Sequence, residues 1–156
     1  MPEPILTAAE RAFVAAERRA VLATTAPNGR ARLVPICFVL AGADDRLGRP
    51  VLYTPIDDKP KRSEEPRSLA RVRDLLVLPD ATILVDRWHE NWDRLAWVRL
   101  HARGEILEPQ PAEREEHADA VIALRTKYQQ YRDHRLEHRP IIRLSVVSAV
   151  SWGDLD

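Results

Sequence analysis

Val21-Leu-Ala-Thr-Thr25, Pro27-Asn28-Gly29 and Arg32-Leu-Val-Pro-Ile-Cys-Phe-Val-Leu40 decide how this chain folds. The first run is rich in β-forming residues and reads as a strand. Asn28-Gly29 accepts the positive φ of a tight hairpin turn. The third run is the return strand. Val34, Ile36, Phe38 and Leu40 alternate with Pro35, Cys37 and Val39, so neither side is polar and burial on both faces is expected. Pro35 has no N–H for a ladder bond, which predicts a bulge or a sheet edge. A bulge there would open a backbone patch to a flat ring.

Outward from the hairpin, Thr7-Ala-Ala-Glu10 fits a capping box and starts a helix running to about Arg19. Phe13, Ala16 and Ala20 form its narrow apolar stripe. Ala41 to Arg49 reads as a loop and Val51 to Thr54 as a third strand. A helix follows from about Pro66 to Leu76, with Ser63 as its N-cap and Leu69, Val72 and Leu76 as its buried face. Arg67 and Arg71 lie one turn apart on another face, by default a solvated pair. Ala81 to Asp86 and Leu95 to Glu108 read as strands, the second bending at Gly104. A helix is expected from Ala112 to about Tyr131, a polar loop to Arg139, a last strand from Pro140 to Val147, and a tail from Ser148. About six strands with few helices and no βαβ alternation predict one domain over residues 1–156. The expected class is mainly β with helices (α+β), an antiparallel barrel with helices at its ends.

Composition narrows the function. Lys+Arg and Asp+Glu both number 24, so the formal net charge is zero. General attraction to nucleic acid or to an anionic membrane is not supported, and an anion site must be local. The single cysteine, Cys37, leaves no intramolecular disulfide and fits a reducing cytoplasm. Residues Met1 to Leu6 lack a signal-peptide pattern and no apolar run is long enough to span a bilayer, so a soluble cytoplasmic protein is expected. With 5 glycines and neither G-x-G-x-x-G nor a P-loop, any phosphate must be held by side chains.

Such side chains follow the third strand. Val51-Leu-Tyr-Thr-Pro-Ile-Asp-Asp-Lys-Pro-Lys-Arg62 delivers Lys59, Lys61 and Arg62 into a turn beside an expected helix N-terminus, a favourable place for a phosphate. Taken alone, a solvated basic turn is the simpler reading. Four tryptophans in a chain that is 6% aromatic are a bias, and Trp88, Trp92 and Trp97 fall within ten positions. They fit a flat apolar surface against a ring, a subunit seam, or both at once. His134 and His138 have helical metal spacing, but no third ligand stands at a recognisable distance and a solvated segment explains them better. Cys37 reads as a small buried hydrophobe, and no nucleophile-elbow motif is present.

Taken in order, these segments resemble the pyridoxamine 5'-phosphate oxidase-like split-barrel family, and within it the "PPOX class" F-420-dependent enzymes. The match runs through Val21-Leu-Ala-Thr-Thr, Pro27-Asn-Gly-Arg, Leu33-Val-Pro-Ile-Cys-Phe-Val-Leu and Leu52-Tyr-Thr. It continues through Asp58-Lys-Pro-Lys-Arg, Ala81-Thr-Ile-Leu-Val-Asp and Asn91-Trp-Asp-Arg-Leu-Ala-Trp-Val-Arg. The resemblance implies an FMN-binding type of split barrel, a homodimer, and two coenzyme sites between the subunits. It assigns the phosphate to Lys59, Lys61 and Arg62, with Lys61 foremost. Arg32, Leu33, Val34 and Pro35 would line the ring, with Thr54 beside them, and Trp92 and Trp97 would form the partner's wall.

Three functions compete on this reading. The first is an oxidoreductase that uses the deazaflavin coenzyme F-420 to pass a hydride to a small conjugated acceptor, with no protein residue required as a general acid. The second keeps the fold and uses FMN; Arg67 and Arg71 would separate the two by gripping the acidic tail of F-420. The third is a non-catalytic binder of flavin or haem. Nucleic-acid binding is disfavoured by the neutral charge balance.

Overall fold

The computed structural model describes residues 2–57 and 65–156. Seven strands form one antiparallel sheet in the order β2-β1-β5-β6-β7-β4-β3. They are β1 (Ala20–Thr25), β2 (Ala31–Ile36), β3 (Val39–Leu40), β4 (Val51–Pro55), β5 (Asp80–Arg87), β6 (Ala96–Leu107) and β7 (Ile141–Gly153). Three α-helices accompany them: α1 (Ala8–Ala16), α2 (Ala70–Val77) and α3 (Arg114–Lys127).

The return strand of the hairpin is where expectation and structure differ most. It breaks at Cys37-Phe38 into β2 and β3, which lie at opposite edges of the sheet. Two residues cannot bridge a flat seven-stranded sheet, since neighbouring strands are about 4.8 Å apart. The sheet therefore curls until its edges meet at this corner, giving a half-barrel of the split-barrel type. Pro35 sits on the edge strand, opposite Val21, where its missing N–H costs no ladder bond. The expectation of burial on both faces fails on β2: Ala31, Leu33 and Pro35 are exposed, because no other described element covers their side.

Other boundaries move for local reasons. The expected helix from Pro66 splits into a 3-10 turn, Pro66–Ser68, and α2, because Leu69 is extended (φ −61°, ψ 137°). The buried face of α2 is then Val72, Asp74 and Leu75, while Leu76 is 65% exposed. The expected tail is strand: β7 runs to Gly153 and pairs with β6 throughout. A register shift opposite His101/Ala102 leaves Val147 as the extra residue of a bulge. The expected long helix ends at Lys127, and Tyr131 falls in the 3-10 turn Gln129–Asp133.

Packing follows the alternation along each strand. The inside of the curl holds Phe13, Leu22, Phe38, Leu52, Val98 and Leu144 among others. A second cluster fills the space under α3, where Val51, Tyr53 and Ile141 meet Val121, Leu124 and Tyr131. Thus β4 is buried on both faces, Leu52 inward and Val51 and Tyr53 toward α3. The capping box is formed: the Glu10 carboxylate accepts from the Thr7 N–H at 2.9 Å, and the Thr7 hydroxyl accepts from the Glu10 N–H at 3.1 Å. Such a cap contributes about 1 kcal/mol. Glu10 also accepts from the Ser151 hydroxyl at 2.7 Å, tying α1 to β7. Buried Asp74 accepts from Thr24 Oγ1 and Arg32 Nε, both at 2.8 Å, pinning α2 to the hairpin. At Gly104 a Cβ would come within 2.7 Å of Leu75, so glycine lets α2 approach β6.

Candidate functional site

The pairing Val39↔Tyr53 brings the Cys37-Phe38 corner to the C-terminal end of β4. Polar groups converge there. The Tyr131 hydroxyl donates to Asp57 Oδ2 at 2.8 Å and also shares a hydrogen bond with the Cys37 thiol. Arg139 donates to the Asp57 carbonyl at 2.7 Å. The Tyr128 hydroxyl accepts from the Phe38 N–H at 3.0 Å and donates to the Arg18 carbonyl at 2.7 Å, replacing the ladder bonds that the corner interrupts. Asp57 is the last described residue before Lys59, and two side chains from beyond α3 hold it in place.

The same corner perturbs its titratable groups. Burial first, then the bond to Cys37 and the charge of Asp57, push the Tyr131 phenol far above its ordinary value. Burial pushes the Tyr128 phenol up to about 12. Burial lowers the Arg71 pKa, and the charge of Asp57 opposes it. Among the described residues, Arg71 Nε is enclosed without a hydrogen-bond partner. Lys127 Nζ is likewise enclosed and unbonded, 4.0 Å from the centre of the Phe38 ring. Burial, with Arg18 nearby, brings its pKa down to about 8.

Lys59, Lys61 and Arg62 lie outside the described residues, as does the expected N-cap Ser63. The other candidates are distributed as follows. Arg32 is held by Asp74, and Val34 packs against the core. Thr54 is 2% exposed and shares the inward side of β4 with Leu52 and Ile56. Leu33 and Pro35 stand on the outer face of the sheet. Trp97 stands on the same face three strands further on, opposite Trp152 and beside Arg99. Trp92 is 70% exposed in the 3-10 turn Trp92–Arg94. Leu33, Pro35 and Trp97 thus share one open surface, while Thr54 turns away from it.

That outer face carries a row of apolar residues among polar ones such as Thr82, Asp86 and His101. Pro35, Val21, Leu84, Arg99 and Val150 stand in register across five strands, with Trp97 and Trp152 one pair further along. Leu33, Leu84, Val150 and Trp152 are all exposed. A flat coenzyme ring needs such a wall. A phosphate needs cations, and Arg71 and Arg139 are among the described ones near Asp57. Arg67 is already engaged, its guanidinium donating to both carboxylate oxygens of Glu108 at 3.0 and 2.5 Å.

Sequence reasoning did not single out Asp57, Tyr131, Arg139 or Lys127. A signal existed for Tyr131: the chain has 3 tyrosines, and Tyr128 and Tyr131 sit three apart just beyond an apolar helix face. His134 is the extended residue just after the 3-10 turn Gln129–Asp133 and His138 ends the next one, Leu136–His138; His134 stands edge-on to the Tyr131 ring at 5.3 Å. Among the described residues no helix is long and apolar enough to cross a membrane.

No family model and no curated protein matches the sequence. Solved structures do. A conserved hypothetical protein from Mycobacterium tuberculosis superposes with a TM-score of 0.67 at 20% identity, over 98% of this chain and 88% of its own. A FAD-binding protein from Mesorhizobium loti gives 0.63 at 18% identity, over 94% and 92%. An F420 reductase gives 0.59 at 14% identity, over 96% and 98%. At such identities the fold alone is shared: a curled seven-stranded antiparallel half-barrel of the split-barrel type.

Proposed function

We propose that the protein is an oxidoreductase built on a homodimer. A phosphorylated tricyclic coenzyme, F-420 with FMN as the alternative, lies in the groove between the two copies. The observation that carries this reading is the open outer face, where Leu33, Pro35 and Trp97 share one uncovered apolar surface. Apolar patches of this kind mark interaction sites. The likeness in fold to an F420 reductase and to a FAD-binding protein supports the choice of ligand class.

In this reading Lys59, Lys61 and Arg62 hold the phosphate. Leu33, Pro35 and the backbone of β2 hold one side of the ring, and Trp92 and Trp97 of the second copy close the other. Arg32 and Val34 brace that strand against α2 and the core, and Thr54 supports it from within. The coenzyme supplies the hydride, and the chain orients it, shields it from water and stacks a small conjugated acceptor against it. Arg67 is spent on Glu108, so a grip on the acidic tail of F-420 falls to Arg71.

The test is a fluorescence titration of the purified protein with F-420 and FMN in parallel. Saturable binding of F-420, tighter than FMN, is expected. Lys61→Ala should weaken it by about 1–3 kcal/mol, the range for a charge-assisted hydrogen bond. Binding of neither coenzyme sinks the reading. Binding without turnover on any acceptor would make the protein a carrier.

A further inference from the structure

A groove of about 440 Å³ runs along α3, on a side that the coenzyme reading does not use. Its volume lies in the range of small-molecule sites. Its floor is apolar: Ala118 and Ile122, four apart on one stripe, with Val121 beside them. Val121 is sealed into the core below, but Ile122 is 64% exposed. A β-branched hydrocarbon at the centre of a groove is left to water.

The rim has an unbalanced charge. Glu137 is neutralised by an ion pair with Arg125, which holds its carboxyl below the usual range. The rest of Arg125 is committed to the carbonyls of Tyr131 and His134, at 3.0 and 2.8 Å. Buried His117 is committed through Nε2 to the Arg139 carbonyl at 2.7 Å. Arg114 remains. It is exposed, and it has no hydrogen-bond or ion-pair partner among the described residues. His138 stands on the same rim. Arg114 is also the first residue of α3, whose N-cap, Glu113, turns its carboxylate to the Glu108 N–H at 2.9 Å and leaves the helix end uncapped. Free helical N–H groups add to the preference for an anion there. The acidic residues of the first turn, Glu115 and Glu116, line a different pocket.

We propose that this groove binds an amphipathic aliphatic carboxylate. Its chain lies on Ala118, Val121 and Ile122, and its head group meets Arg114. The site is separate from the coenzyme groove and does not depend on that assignment.

The test is an NMR titration of the full chain with acetate, butyrate, octanoate and 1-octanol. Octanoate should bind saturably, with shifts confined to α3 and residues 137–138. Affinity should rise about threefold to fourfold per added methylene, as burial of a CH₂ requires. Arg114→Gln should weaken octanoate at least about tenfold, and Ile122→Asn should flatten the chain-length dependence. Both substitutions are on the surface and should leave the titration with F-420 and FMN unchanged. Octanol binding as tightly as octanoate, an unaltered affinity in Arg114→Gln, or no saturable binding at all overturns the proposal.

Discussion

The outer side of the sheet has two regions. Over β4 and the first half of β7 it is covered: Val51, Tyr53 and Ile141 meet Val121 and Leu124 of α3. Over β2, β1, β5, β6 and the second half of β7 it is open, and Leu33, Leu84, Val150 and Trp152 face water. In sequence the two regions look alike, since both mix apolar and polar residues on the outward positions of their strands. They differ in supply, because α3 is the longest described helix and it packs on β3, β4 and the adjoining ends of β6 and β7. The switch from covered to open falls at the Val147 bulge, where the chain gains a residue and re-aims its side chains. A face that no described element covers is the one the proposed second copy would cover.

The largest contrast should come from cutting the same kind of residue on each side. Leu124 is fully buried on the inner face of α3, so Leu124→Ala should cost about 2–5 kcal/mol in urea unfolding, the usual range for a buried leucine. Val150→Ala should cost the isolated fold far less, since Val150 is already exposed. If the two losses were equal, the open face would not be open. The next effect in size concerns assembly. Val150→Asp puts a charge at the middle of the open face and should raise the dissociation constant of the proposed dimer at least about a hundredfold, the weight of an interface hot spot. Sedimentation equilibrium reads it directly, and circular dichroism should show the fold intact. A wild-type chain that sediments as a monomer at all concentrations removes the seam.

Much of this division was legible in the sequence, though not its cause. The hairpin, the capping box, the edge position of Pro35 and the antiparallel class all follow from turn chemistry and alternation. The break at Cys37-Phe38 does not, because Arg32 to Leu40 is one unbroken apolar alternation. What bends it is the remote Tyr128 hydroxyl, which takes over the ladder bonds of Phe38. The second half of β7 was hidden because Ser148, Ala149 and Ser151 are weak strand formers, and pairing with β6 overrides their propensity. The Asp57–Tyr131–Arg139 cluster joins residues more than seventy positions apart, a distance at which local pattern carries no information.

The smallest expected effect sharpens the boundary itself, at Lys127, where the covering helix ends. On the covered side Arg143 is balanced by Glu116 and Glu105, at 2.5 and 2.7 Å. Lys127 has no such partner; Arg18 adds like charge, and the Phe38 and Tyr128 rings, 4.0 and 5.5 Å away, offset part of the burial cost. Its folded pKa of about 8 lies below the ordinary 10.5. Below pH 8 both folded and unfolded chains carry the proton, and the full penalty on the folded state is present. Between about 8 and 10.5 the unfolded chain binds more protons, so stability rises with pH. Lys127→Met should therefore stabilise the protein at pH 7 and flatten that rise, in urea unfolding compared at pH 7, 8, 9 and 10. The shared alkyl stem keeps the packing on Phe38, so a loss of stability at pH 7 would mean that the amine's attraction to the two rings outweighs its burial, and that the end of α3 is held by that cation.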